Sequence, residues 1–319
     1  MPKYRNNLPQ LGDTIFLTDS GMETSLIFHH GVDLPCFASF DLMKNAEGRA
    51  LVDAYYSKHA ALAKHKGLGF VLETPTWRAN RDWGAKIGYA PAQLATVNRD
   101  CVELMADIRS RYETAQSPMP ISGNIGPRGD GYRIETKMTV KEACAYHAQQ
   151  VKTFADTDAD FVSGFTMNYT EEAIGIILAC ELAEVPAVIS FTVETDGRMA
   201  SGETMKEAVE KMDAATGAYA SYYMINCAHP THFDSAIEAG ESWLKRIKGL
   251  RANSSRKSHA ELDESTTLDD GNPQELGAQY RALRKKIPGM RILGGCCGTD
   301  IRHVEHICLA CTEAEAEAA

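Results

Sequence analysis

A (β/α)8 barrel is the fold this sequence predicts, and three observations carry the prediction. Eight short apolar runs alternate with helix signatures along 319 residues, the pattern of a parallel sheet with crossover helices. Polar and glycine-rich residues gather just after those runs, at the rim where barrel enzymes do chemistry. No Gly-x-Gly-x-x-Gly follows the first run, which disfavours the competing doubly wound, dinucleotide-binding sheet.

The runs fall at residues 14–18, 69–73, 120–124, 160–163, 187–193, 222–226, 250–253 and 291–294. Between several of them the apolar spacing turns helical. Pro91 opens a stretch with Leu94, Val97, Cys101, Leu104, Met105 and Ile108 on one face. Thr139 with Glu142, and Thr204 with Glu207, fit capping boxes. The helix from Thr204 ends at Gly217, a C′ glycine. Asn272-Pro273 starts another, with Leu276, Tyr280, Leu283 and Ile287 aligned. A single domain over 1–319 follows, with an N-terminal extension at 1–12 and a frayed, solvated tail at 313–319. Residues 254–270 form a long polar connection after the seventh run. It is either a lid or binding loop on the C-terminal face or a mobile solvated insertion.

Composition narrows the function. With 44% hydrophobic and 24% charged residues the chain is ordinarily globular, and a formal charge of −10 argues against binding nucleic acid or an anionic membrane. No apolar stretch reaches membrane-spanning length. The polar N-terminus lacks a signal-peptide core, and nine cysteines is an odd number. Reduced thiols in a cytoplasmic protein are the expectation.

Three of those thiols converge. Strand six ends in Asn226-Cys227 and strand eight in Cys296-Cys297, so Cys227 can meet the pair across 68 intervening residues. Three thiolates suit Zn2+ and leave its fourth position for an exogenous group. Neighbouring residues on a strand point to opposite faces. Gly294, Gly295 and Gly298 are therefore expected to supply the backbone freedom that turns both sulfurs inward. Zinc held by three thiolates is a weak activator of water and better suited to keeping a fourth thiol deprotonated, which favours alkyl transfer to a thiol. The competing readings are three packing cysteines, or a vicinal disulfide strained in geometry and disfavoured in reducing cytosol.

Other thiols and imidazoles read as structural. Cys308 and Cys311, with His303 and His306, fall on the final helix and its apolar stripe. Cys36, Cys101, Cys144 and Cys180 look like packing residues, and His29-His30 lies in a loop-like stretch. Trp77, after strand two, is either core or a substrate contact.

From about Thr18 to Ile307 the sequence resembles the homocysteine S-methyltransferases. GGCCGT at 294–299 and Asn226-Cys227 match that family's most specific motifs. Residues 189–192 (ISFT) with 201–203 (SGE), 19–24 (DSGMET), 73–77 (ETPTW) and 125–127 (IGP) are similar to further segments. The resemblance implies a zinc barrel with Cys227, Cys296 and Cys297 as ligands and homocysteine sulfur completing the sphere. It implies that Asp19 meets the amino acid's ammonium and the Ser20–Gly21–Met22 backbone its carboxylate, with Thr166 and Asn226 also at the substrate. Three positions depart from the pattern. The family glutamate after strand four, which binds the ammonium, is replaced within Gly164-Phe165; the glycine before Thr24 is Glu23; and an asparagine is Pro75. Glu23 either supplies the missing charge or is solvated.

The expected activity is methyl transfer from an onium donor, of the S-methylmethionine, S-adenosylmethionine or betaine type, to homocysteine, giving methionine. Two alternatives stand beside it: the same chemistry on another small thiol or selenol, and a non-catalytic zinc- and thiol-binding barrel. The partners are then small molecules, with room for an oligomer.

Overall fold

The computed structural model describes residues 1–316, without the side chains of 313–316. Of the expected tail at 313–319, residues 313–316 continue the final helix (Ile301–Ala316), and 317–319 lie outside the described residues. All eight apolar runs carry strands, and one of them is divided. Strands β1 (Phe16–Leu17), β2 (Gly69–Phe70), β3 (Leu72–Glu73), β4 (Ile121–Ile125) and β5 (Phe161–Met167) are followed by β6 (Ala187–Phe191), β7 (Ala220–Asn226), β8 (Ile247–Ala252) and β9 (Ile292–Gly295). They run parallel in the order β2-β1-β9-β8-β7-β6-β5-β4-β3. The two ends of that order are halves of one run, 69–73, so the sheet closes on itself. Val71 donates to Leu17 while Leu72 donates to Pro120, passing the chain from one neighbour to the other.

Strand parity sorts the side chains. Phe16, Val71, Phe161, Phe165, Val188, Tyr222, Met224 and Ile292 form one buried cluster inside the barrel. Their neighbours Leu17, Leu72, Val162, Ile189, Tyr223, Ile225 and Leu293 pack outward against the helices, as a period of two requires. Towards the C-terminal ends the inward positions become polar: Glu73, Ser122, Asn124, Ser163, Ser190, Asn226 and Arg251 are all buried. The barrel is thus packed oil below and a hydrogen-bonded polar layer above.

The N-terminal segment proves to be more than an extension. Tyr4 donates its backbone N–H to Asp160 at 2.6 Å and Arg5 donates to the carbonyls of Ala155 and Ala159. Leu8 then enters the interior cluster, closing the barrel's lower end. Asp160 lies just below β5, where it also accepts from Arg109 and from Ile121 N–H.

Both predicted capping boxes form, at the starts of α5 (Val140–Ala155) and α7 (Met205–Thr216), and Gly217 takes the left-handed conformation at φ 58°. The Pro91 helix, α4, runs to Tyr112 and the Asn272-capped helix, α10, spans Pro273–Lys286. His29 and His30 lie not in a loop but at the exposed end of α1 (Met22–His30), where imidazoles complement the negative end of the helix dipole. Connection 254–270 is not structureless. It carries a short helix, α9 (His259–Asp263), capped by Ser258 and Glu261. Among the described residues no helix is long and apolar enough to cross a membrane.

Candidate active site

Register brings the three cysteines together. Asn226 on β7 pairs with Arg251 on β8, and Arg251 pairs with Gly294 on β9. Just above that row, Cys227 N–H donates to Arg251 and Cys296 N–H to Ala252, so both cysteines lean over the end of β8. The ligand atoms of Cys227, Cys296 and Cys297 all lie within 4.8 Å of one another. Sulfurs bound to one tetrahedral ion at about 2.3 Å sit roughly 3.8 Å apart, so the donor set fits such a metal in number, type and spacing. The sulfurs of Cys227 and Cys296 make the closest approach of the three, and Cys297 is a free thiol. The convergence that suits a metal is what brings two sulfurs within bonding reach.

The glycines act differently from expectation. Only Gly298 has a positive φ, 78°. Gly294 and Gly295 remain in β9, and what they provide is room: a β-carbon on the first would strike the Thr18 hydroxyl, and on the second the Thr299 hydroxyl. The left-handed turn that redirects a sulfur belongs to Cys227 itself, at φ 53°, matched on β5 by Thr166 at φ 62°. Such conformations cost energy and are held by their surroundings. Here Asn226 braces the rim, accepting from Thr166 N–H and from Ser190 Oγ and donating to Thr166 Oγ1 at 2.9 Å.

A buried arginine dominates the floor. Arg251 Nη2 lies 2.9 Å from Asp19, its Nη1 meets Glu73, its Nε donates to the Gly295 carbonyl and Nη2 to that of Ser20. Asp19, assigned by resemblance to the substrate ammonium, is therefore already paired within the chain, and Tyr55 donates to its other oxygen. The Ser20–Gly21–Met22 backbone is likewise engaged. Ser20 N–H donates to Tyr55, Gly21 N–H to Thr299 and Met22 N–H to Ser20. Strand parity signals Arg251, since Leu250 points outward and its neighbour must face the interior.

Glu23, in the first turn of α1, accepts from the Ser39 hydroxyl at 2.8 Å, and burial raises its carboxyl pKa. Among the described residues no cation lies within ion-pair distance of it. Burial, with Glu23 nearby, pushes the Cys297 thiol up to about 12, against the pull of a hydrogen bond from Tyr132. Unaided, that thiol stays protonated at neutral pH. Phe165 packs in the barrel interior under the Arg251 guanidinium, 5.5 Å from it.

Two chambers open on these sulfurs. The inner one holds Asp19, Glu23, Pro75, Phe165, Asn226, Arg251 and all three cysteines. The outer one, about 490 Å³, is walled by Trp83, Arg78 and much of connection 254–270. Phe37, Trp77, Tyr132 and Cys297 line both, and Trp77 stands at the rim while packing against the interior cluster. The other candidates are structural. His303 is bonded to Asp300 and to the Asp270 carbonyl, Cys308 and Cys311 are buried, and His29, His30 and His306 face solvent.

Comparison with known proteins agrees with this construction. Homocysteine S-methyltransferase 1 of Arabidopsis thaliana is 21% identical over 305 residues, 89% of each chain. Homocysteine S-methyltransferase YbgG of Bacillus subtilis is 25% identical over 260 residues, 73% of this chain and 76% of its own. The metallated form of the Escherichia coli homocysteine methyltransferase MmuM superposes with a TM-score of 0.71 at 19% identity, covering 97% of this chain and all of the other. Its oxidised form gives 0.70 at 18%, covering 98% of this chain and all of the other. The family model described as homocysteine S-methyltransferase matches residues 16–311, and the chain, a methyltransferase, belongs to that family.

Proposed function

We propose that this protein is a zinc-dependent S-methyltransferase that moves a methyl group from an onium donor to the thiol of homocysteine, giving methionine, in a cytoplasmic setting that keeps its thiols reduced. The observation that carries the reading is the convergence of three cysteine sulfurs within 4.8 Å where two chambers meet. Cys227, Cys296 and Cys297 would hold the zinc, which when bound supplies a Lewis acid that keeps the acceptor's sulfur deprotonated at neutral pH.

The chain's own residues do the rest. Glu23, half-buried and without an ionic partner among the described residues, receives the acceptor's ammonium in place of Asp19, whose charge Arg251 has taken. The Arg251 cluster holds the inner floor rigid, and Trp77 and Tyr132 stand between acceptor and donor. In the reaction a carbon–sulfur bond forms at the acceptor while the donor's carbon–sulfur or carbon–nitrogen bond breaks. The donor leaves as a neutral thioether or amine, and the thiol proton goes to solvent.

A second reading keeps the chemistry and changes the acceptor to another small thiol or selenol without an ammonium. The pairing of Asp19 with Arg251, and Phe165 in place of an acid, favour it. The non-catalytic alternative lapses with membership of an enzyme family.

The test is metal analysis of the reduced protein together with methionine formation from homocysteine and each of S-methylmethionine, S-adenosylmethionine and betaine. Stoichiometric zinc and turnover with at least one donor are expected. Turnover with a simple thiol such as mercaptopropionate in preference to homocysteine would establish the second reading. Zinc-loaded protein that transfers methyl from none of the donors to any thiol would overturn both.

A further inference from the structure

The outer cavity contains a charge the chemistry above does not use. Arg78 is only 7% exposed, yet no carboxylate lies within ion-pair distance of it among the described residues. Its one hydrogen-bond acceptor is the carbonyl of Gly129, 3.2 Å from Nη1, and its Nε is buried without a partner. A guanidinium offers five donors, so this one is left far from satisfied. Desolvation lowers its pKa only to about 10, and it stays charged at neutral pH.

Packing holds the group flat. The guanidinium carbon lies 4.0 Å from the ring centre of Trp77 and 3.8 Å from that of Trp83. Trp83 is fixed in turn by donating its indole N–H to the same Gly129 carbonyl at 3.1 Å. A stacked, pre-oriented guanidinium suits bidentate recognition of a planar anion such as a carboxylate. Asp130, Asp263 and Asp269 line the same cavity, as does the Cys297 side of the sulfur cluster. One cation without an ionic partner and several carboxylates lining a single chamber, one of which, Asp263, lies 3.9 Å from Arg133, complement a ligand that carries both charges.

We propose that Arg78, clamped between Trp77 and Trp83 in the outer cavity, is a specificity-determining residue of this enzyme that binds the donor's carboxylate and discriminates against donors lacking one. This rests on the methyltransferase reading above and deepens it. The acidic residues lining the same cavity offset the onium charge, and the carboxylate anchors the donor so that its methyl faces the chamber that holds the acceptor.

Equilibrium titration of the reduced, zinc-loaded protein tests this, with intrinsic tryptophan fluorescence as the readout because two indoles flank the site. The probes are glycine betaine and S-methylmethionine, each beside its methyl ester, and tetramethylammonium. At least one carboxylate probe is expected to bind about 10-fold or more tightly than its ester. Arg78→Gln should remove that preference by weakening the acid while leaving the ester unchanged, and Arg78→Lys should restore part of it. The unchanged ester affinity also reports that the variant is folded. If it does not fold, the wild-type comparison of acid with ester decides. Equal binding of acid and ester by the wild type, or an equal loss of both in Arg78→Gln, overturns the proposal. Methyl transfer from tetramethylammonium at the rate of the carboxylate donors would overturn it while the methyltransferase reading stood. Absence of transfer from every donor would fail that reading instead.

Discussion

The inner and outer chambers share Cys297, Trp77, Tyr132 and Phe37 but treat charge in opposite ways. In the inner chamber the protein completes its own contacts. Arg251 joins Asp19 and Glu73, Asn226 is bonded to Thr166 and Ser190, and the Ser20–Met22 amides are all donated within the chain. In the outer chamber Arg78 is left without an ionic partner. The difference teaches where rigidity is spent and where recognition is left open. A thiol that must meet a methyl in line needs a floor that does not rearrange. A site that admits a charged donor needs an unpaired charge to meet it.

The sharpest break strikes the seam between the chambers. Cys297→Ser replaces a thiolate donor by a poor ligand for a soft metal, and the acceptor's sulfur reverts to a protonated thiol. Metal-ion contributions run to several kcal/mol, so kcat is expected to fall about 10⁴-fold with loss of bound zinc. Zinc analysis and turnover on the same sample check it. Full activity in the variant would remove the sulfur cluster from the chemistry.

Next comes the inner floor. Arg251→Met leaves Asp19 and Glu73 buried without their shared cation, and breaking a buried pair in this way costs about 3–5 kcal/mol. Urea denaturation of the metal-loaded protein is the measurement. A loss under about 1 kcal/mol would show the floor to be water-accessible and the contrast with Arg78 unfounded. By contrast, Glu23→Gln leaves the fold intact and removes the carboxylate assigned to the acceptor's ammonium. It should raise KM for homocysteine about 10-fold, the effect of about 1.4 kcal/mol of lost binding. In the wild type this KM should also climb on acidification. Desolvation raises the pKa of the half-buried Glu23 carboxyl, so it protonates early as pH falls and loses the charge that binds. The variant should lack that limb. An unchanged KM would favour an acceptor without an ammonium.

How much of this could be read from the sequence follows from the range of the interactions. The sulfur cluster was legible because GGCC and Asn226-Cys227 are local patterns, and strand alternation supplies the rest. The capping boxes at Thr139 and Thr204 were legible for the same reason. The roles of Gly294 and Gly295 were not, since Thr18, for which Gly294 makes room, comes from a distant part of the chain, and the turn that folds Thr299 back over Gly295 leaves no periodic signal. Nor was the self-pairing of the inner floor. Arg251 meets a residue 178 positions away, and its presence cancels a contact that resemblance alone assigns to the substrate. Leu8 was passed over because so few apolar residues in a short polar segment do not reveal which of them is buried. The split at Val71 arises from barrel closure, which is a property of the whole sheet.

The smallest expected effect comes from a site outside both chambers and tests whether they are separable from the scaffold. Thr204 accepts from Glu207 N–H at 3.2 Å, while Glu207 reaches back to Thr204 N–H at 2.8 Å, and the helix they cap, α7, packs on the outside of the barrel. Thr204→Ala removes one half of that exchange and should cost about 1 kcal/mol. In a chain of this length such a loss lowers Tm by about 2 °C. KM for both substrates should stay as it was, since neither Thr204 nor Glu207 lines a chamber. The neighbouring Glu203 makes the comparison strict, because its carboxylate accepts from Thr170 at the start of α6 (Thr170–Leu182), just beyond the Thr166 end of β5. If removing the cap shifted a KM, the outer helices would be setting the rim through that contact, and the inner floor would owe its rigidity to the scaffold as well as to Arg251.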